Sequence, residues 1–227
     1  MKRAIQSSES IELGILLSLA GGFMDAYSYI MRGGVFANAQ TGNILLLGVR
    51  ISEGDFANIP RYMFPIIFFT GGIALARLLR DPEKRTLHWR QLTVLAEIVI
   101  FSAVAFMPLD MNLFANSLTS FACGLQVESF RKIHGRSAAT TMCIGNLRSA
   151  TENLCDWIKT RNRDSLFSGL FYYGVIALFI AGAVIGNMCI KAFSEKAILV
   201  CAAFLFAAFL MMFSDREREA NPPYKPL

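Results

Sequence analysis

Charged residues, histidines and long polar stretches are scarce in this chain of 227 residues. Only 17% of it is Asp, Glu, Lys or Arg against 54% hydrophobic residues, and the mean hydropathy is +0.45. So little polar sequence does not clothe a water-soluble fold of this length, and no stretch is left for a second, soluble domain. The two histidines, His88 and His134, each lie near basic residues, which argues against a haem or a His-based metal site. The five cysteines (Cys123, Cys143, Cys155, Cys189 and Cys201) show no CxxC spacing and sit mostly in apolar runs, so free, buried thiols are expected rather than a disulfide framework. There is no Ser/His/Asp set, P-loop or dinucleotide fingerprint, so neither an enzyme nor a cofactor is expected. The net charge of +5 calls for no nucleic-acid partner, because the basic residues cluster in short segments between apolar runs.

What the chain does have is apolar sequence in spans. A helix needs roughly 20 mainly apolar residues to cross the hydrocarbon core. Stretches 11–31, 62–79, 91–109, 113–130, 166–190 and 197–213 meet or approach that length. Two further segments, 35–49 and 138–158, are respectively too short and too charged for an ordinary span. The first run follows Lys2 and Arg3 like a signal peptide, but it is too long for one and carries Asp25, so it reads as a retained span. The expected fold is all-α: a polytopic membrane helix bundle of about six full spans plus two short or broken motif helices. It forms a single integral membrane domain over 1–227, with repeat halves at about 11–109 and 113–213 and a short polar cytoplasmic tail at 214–227.

The doubling shows in two matching segments. Residues 21–48 (GGFMDAYSYIMRGGVFANAQTGNILLLG) and 124–151 (GLQVESFRKIHGRSAATTMCIGNLRSAT) align without a gap at one offset, 103, the distance from Asn43 to Asn146. That offset also pairs Gly21 with Gly124, Asp25 with Glu128 and Gly42 with Gly145. The third element of each half spaces small residues four apart, Gly72 with Ala76 and Gly182 with Gly186, as closely packed membrane helices do.

The GGFMDAYSYI and FANAQTGNILLLG runs, with GLQVESFRK and TTMCIGNL, resemble the YoaK family of bacterial multi-pass membrane proteins. The resemblance covers nearly the whole chain and is most specific at Gly22, Asp25, Ala26, Tyr29, Thr41, Gly42 and Asn43. It implies a multi-pass fold in a bacterial cell (inner) membrane. It implies no activity, because the family is of unknown function.

Asp25 lies fourteen residues beyond Ile11, about 21 Å along a helix and past the middle of a roughly 30 Å core. A carboxylate there should face the bundle interior or a wet cavity, where it binds a cation, carries a proton or pairs with a base such as Arg148. Glu128 is close to Arg131 and Lys132 and is equally explained by an interfacial ion pair. The Thr41-Gly42-Asn43 triplet interrupts an apolar run, as Gly145 and Asn146 do in the second half, with Gln126 and Arg148 near in sequence. Breaks of this kind expose backbone groups that bind ions and small polar substrates. The leading expectation is a small-molecule transporter, proton-coupled through Asp25, whose substrate- or ion-binding residues are Asp25, Tyr29, Thr41, Gly42, Asn43, Gln126, Glu128, Gly145, Asn146 and Arg148. Its partners would be the lipid bilayer and a small polar solute or proton, with oligomerisation left open. The alternative is a non-transporting membrane protein: a sensor, scaffold or assembly factor whose polar residues only organise the bundle.

Lysine and arginine set the orientation. Six crossings from a cytoplasmic N-terminus place Arg80, Lys84, Arg85, Arg90, Arg131, Lys132, Arg136, Lys159, Arg161, Arg163 and the C-terminus inside, leaving Arg32, Arg50, Arg61, Lys191 and Lys196 outside. Eight crossings would move the Arg80 to Arg90 cluster outside. Three crossings per half invert the second copy relative to the first. A loop-by-loop accessibility map in oriented vesicles is expected to find Arg85 on the cytoplasmic side; finding it outside would remove the inverted repeat.

Overall fold

A computed structural model describes residues 10–80 and 89–220, with side chains described as far as 212. Lys2 and Arg3, and the cluster around Lys84, Arg85 and His88, lie outside the described residues. Helix α1 is Ile11–Met31; the Ser10 hydroxyl caps it by accepting the Leu13 N–H at 3.1 Å. It stops where Gly33 and Gly34 take positive φ, at 86° and 75°. After an irregular segment comes α2, Gln40–Ser52, whose 13 residues reach only about 20 Å, too short to cross. Then follow α3 (Ile59–Leu79), with Pro60 in its first turn, α4 (Trp89–Val104) and α5 (Asn112–Ser129).

A hairpin comes next, β1 (Lys132–Ile133) against β2 (Arg136–Ser137), turned by His134 and Gly135 at φ 50° and 75°, the pair of positive φ that tight hairpins use. Helix α6 is Cys143–Thr160, α7 is Arg163–Phe193 and α8 is Ile198–Ala220.

The fold is thus the expected all-α membrane bundle. Among the described residues, three stretches are long and apolar enough to cross a membrane: Ile11–Met31, Phe56–Leu79 and Arg163–Met212, the last holding both α7 and the apolar part of α8. Helix α4 is shorter. Helix α5 carries Asn116, Ser117, Thr119, Ser120 and Gln126, all buried against the rest of the bundle, so their polarity is spent inside. Helix α8 continues to Ala220, into residues expected as a polar tail.

Packing is reciprocal. Helix α1 lies along α7, and α3 along α5; α2 rests on α3 and α6 on α7; α4 packs on α5, α8 on α1, and α4 on α8. Glycine lets the first two pairs touch backbone to backbone. A Cβ at Gly22 would overlap the Phe179 carbonyl, and one at Gly182 the Leu19 carbonyl. On the other side, a Cβ at Gly124 would strike the Phe69 carbonyl and one at Gly72 the Phe121 carbonyl. The four-residue spacing read from sequence therefore marks real close approaches, with Gly186 against Phe23 and Ala76 fully buried. Leu13, Leu17, Phe23, Met24, Phe101 and Leu205 fill the core between the pairs.

These contacts correct the ungapped alignment. Gly124 plays the part of Gly22, not Gly21, and Phe121 that of Leu19, an offset of 102 along α1 and α5. The second half carries one more residue between its helix and its motif, so Glu128 matches Ala26 and is not the counterpart of Asp25.

Gly182→Val should overpack the α1–α7 seam, costing on the order of 1–3 kcal/mol or more, and lower the melting temperature in detergent. Gly174→Ala, where a Cβ meets nothing within 4 Å, is the control expected to melt like the parent.

Candidate functional site

Irregular backbone inside an apolar bundle must find its own hydrogen-bond partners. Residues 32–39 before α2 and residues 138–142 before α6 both solve this with an asparagine one turn into the following helix. Asn43 accepts the Phe36 N–H on Oδ1 at 3.0 Å and donates from Nδ2 to the Phe36 carbonyl at 2.7 Å and to Gln40 Oε1 at 2.9 Å. Asn146 accepts the Ala139 N–H at 3.2 Å and donates to the Ala139 carbonyl at 2.6 Å and the Met142 carbonyl at 3.1 Å. Each amide closes its loop as a strand partner would. Both side chains are buried and consumed by these bonds.

The triplet at Thr41 therefore begins a helix instead of interrupting one, because the break falls earlier, at Gly33 and Gly34. Gly42 makes room for Phe36, whose ring occupies the space a Cβ would take and stacks on Tyr29 at 4.8 Å.

Both loops converge on the middle of α1. Asn38 donates from Nδ2 to the Gly21 carbonyl at 3.1 Å, while the Thr140 carbonyl fills the space where Gly21 would carry a Cβ. One turn on, Asp25 Oδ1 accepts the Asn38 N–H at 2.7 Å and the Ala39 N–H at 3.4 Å. Ala39, the cap residue of α2, offers no side-chain acceptor, and Asp25 reaches from another helix to hold the amide of Ala39 and that of the residue before it. Helix α6 begins at Met142 with no side-chain cap.

Between the starts of α2 and α6 lies a cavity of 540 Å³, walled by α1 and α7. Asp25, Tyr29, Gln40 and Thr41 line it from the first half, Thr141, Cys143 and Gly145 from the second, and Phe179 and Ala183 from α7. Of the residues expected at a site, the fold thus brings together Asp25, Tyr29, Thr41 and Gly145, with Gly42, Asn43 and Asn146 shaping the loops behind them. Gln126 is buried and donates at 3.3 Å to the Leu17 carbonyl and to Thr140 Oγ1, bracing the second loop from outside the cavity.

Two do not join. Glu128 lies 3.7 Å from Arg131 and 3.9 Å from Arg77, the boundary pairing that its neighbours suggest. Arg148 is exposed and pairs with Glu152 at 2.8 Å, one turn along α6, so it is no partner for Asp25.

Sequence reasoning passed over Glu97 and Arg32. Glu97 is fully enclosed in α4 with neither oxygen hydrogen-bonded, although an acid inside an apolar run was the same signal that singled out Asp25. Arg32, counted as an outside charge, is in fact buried. The cysteines are free as expected, Cys123 and Cys201 buried but Cys155 exposed. Among the described residues no three His, Cys, Asp or Glu side chains form a group that could hold a metal ion.

A family model described as a protein of unknown function (DUF1275) matches residues 13–211, and the chain belongs to that family. The UPF0700 transmembrane protein YoaK of Bacillus subtilis (strain 168) is similar to it, 27% identical over 185 residues that span 75% of this chain and 79% of that protein. No solved structure matches. The chain is accordingly a membrane protein of a family whose activity is not known.

Replacing either asparagine by alanine strands a buried N–H and a carbonyl, each costing about 1–3 kcal/mol. Asn43→Ala and Asn146→Ala should each lower the melting temperature in detergent well below that of the parent, whereas Arg148→Ala should leave it nearly unchanged.

Proposed function

We propose that this DUF1275 member is a carrier for a small polar solute, with the cavity between the α2 and α6 starts as its binding site. The meeting of two irregular loops, one from each half, at Gly21 and Asp25 carries this proposal. Transporters are commonly built from two inverted copies whose broken or short helices end near the bilayer midplane and leave backbone groups free for a solute. The reciprocal contacts, α1 with α7 and α3 with α5, are those two interleaved inverted copies would make, and they support that arrangement here. In this view α2 and α6 enter from opposite faces of the bacterial inner membrane without crossing, six other helices cross, and both termini lie in the cytoplasm.

The chemistry of the site follows from its two ends. Asp25 presents a carboxyl to the cavity while one of its oxygens holds α2 in place. It would take a proton or a donor group of the solute, and any change in its charge would be felt directly by the start of α2. The first turn of α6 offers backbone donors on the opposite wall. Aromatic and aliphatic side chains line the rest, suited to a compact solute with polar ends. No catalytic step is assigned to these residues.

The bonds from Asp25 to Asn38 and Ala39 equally suit a protein that transports nothing, a sensor or scaffold in which the carboxyl is a cap and no more. Single cysteines at Thr41 and Gly145, in a background stripped of Cys143 and Cys155 with the rest, separate the two. Impermeant thiol reagents in oriented vesicles are expected to reach both positions, from opposite faces; no labelling of either from either face would leave the scaffold. Asp25→Asn keeps an acceptor for the two amides and should fold, but is expected to abolish pH-dependent solute uptake in a liposome screen.

A further inference from the structure

The positive charge at the other end of α1 serves none of this. Arg32 is 1% exposed, and its guanidinium donates to Tyr27 Oη at 3.0 Å, to the Val104 carbonyl at 2.8 Å, to the Pro108 carbonyl at 3.3 Å and to Asn112 Oδ1 at 3.4 Å. Every partner is neutral. Among the described residues no carboxylate lies in ion-pair contact with it, so its charge is held in a poorly solvated place without a counter-ion.

Arg32 also borders a second cavity, of 310 Å³, distinct from the one at Asp25, with its charge held just behind the wall. Its wall includes Arg61, Asn112 and Asn116, with Gly33 between the arginines, and no acidic residue. Arg61 is exposed, lies over the Tyr62 ring and makes no ion pair among the described residues; Gly33, whose φ of 86° favours glycine, brings the chain so close that a Cβ there would lie 3.0 Å from Arg61 Nη2. The first turns of α3 and α5 also face this cavity, through Pro60 and Leu113, and add the positive ends of two helix dipoles. Asn116 is anchored by donating from Nδ2 to the Arg32 carbonyl at 2.8 Å, while its enclosed Oδ1 has no donor.

We infer that this second cavity is an anion site that takes a phosphate group between Arg61 and the fixed charge of Arg32. A planar guanidinium free on its donor edge pairs with two phosphate oxygens at once, and a buried positive charge behind it raises the preference for a doubly charged oxyanion. Phosphate arrives at a membrane protein either as a free anion, which carries two charges, or as a diester lipid headgroup, which carries one, and both present the pair of oxygens that a guanidinium binds.

The test uses the full-length protein in neutral detergent, with radiolabelled inorganic phosphate in one arm and phosphatidylglycerol against phosphatidylcholine, read by native mass spectrometry, in the other. Arg61→Ala should melt like the parent, since Arg61 is exposed and unpaired, yet bind phosphate about tenfold or more weakly, as loss of a charge-assisted hydrogen bond requires. Arg61→Lys should lose less, and Arg148→Ala, on the far helix α6, nothing. Saturable phosphate binding that Arg61→Ala removes identifies a free anion as ligand. Preference for phosphatidylglycerol that Arg61→Ala removes identifies a lipid headgroup. Binding that Arg61→Ala leaves intact in both arms, or no binding by the parent in either, overturns the site.

Discussion

Everything distinctive in this bundle depends on the cost of an unpaired backbone group in hydrocarbon. Two segments of irregular chain, 32–39 and 138–142, pass through its interior, and each holds peptide groups that neither helix nor sheet satisfies. Asn43 and Asn146 answer that cost with the same two-bond clasp, and Asp25 takes up two further amides of the first segment. Once these bonds are made, α2 and α6 start in the middle of the molecule, and the space between their first turns cannot be closed by packing. The cavity follows from how the loops are tied.

Much of this was legible in the residues. Six apolar runs gave α1, α3, α5 and α7 to within three residues of their ends, while α4 stops five residues short of its run and α8 runs seven past it, because apolar length is a strong signal where solvent is lipid. The small-residue spacing at Gly72 and Gly182 told truly of close helices. The Gly-Asn pairs told of a special backbone, but not of which atom mattered: the asparagines read as ligands are clasps, and Gly42 yields to Phe36 instead of loosening a helix. The one-residue slip between halves was hidden, since a gapless match scores better than a broken one while helix contacts obey geometry alone. Arg148 was drawn to Asp25 by nearness in the motif, yet helical phase turns it outward to Glu152. Glu97 and Arg32 were missed for opposite reasons. The first sat in a run outside both motifs, and the second was counted as a loop charge although Tyr27 and three acceptors beyond it bury its head.

The two halves share a plan but not a charge. The extra residue between α5 and the second motif shifts that motif against its helix, so Val127 stands where symmetry would ask for a second Asp25. One half-loop is capped by a carboxylate and the other is left with bare amides. Polarity across the cavity comes from this difference and not from any single residue.

The glycine seams also fix how the molecule can deform. Where Gly22 meets Phe179 and Gly124 meets Phe69, main chain touches main chain, and there is no rotamer to swing aside. Helices α1 and α7 behave as one stiff strut, and α3 and α5 as another, each drawn from both halves of the chain. Between the struts the contact is of another kind: the Cys123 thiol rests on the Met24 thioether at 3.5 Å, unbranched and polarizable, and the Gln126 amide on the Leu17 carbonyl is a directed bond that ties α5 to α1. Stiffness within each strut and sparse contact between them make the seam along Met24 the plane of least resistance to shear, with the Gln126 bond as a tether.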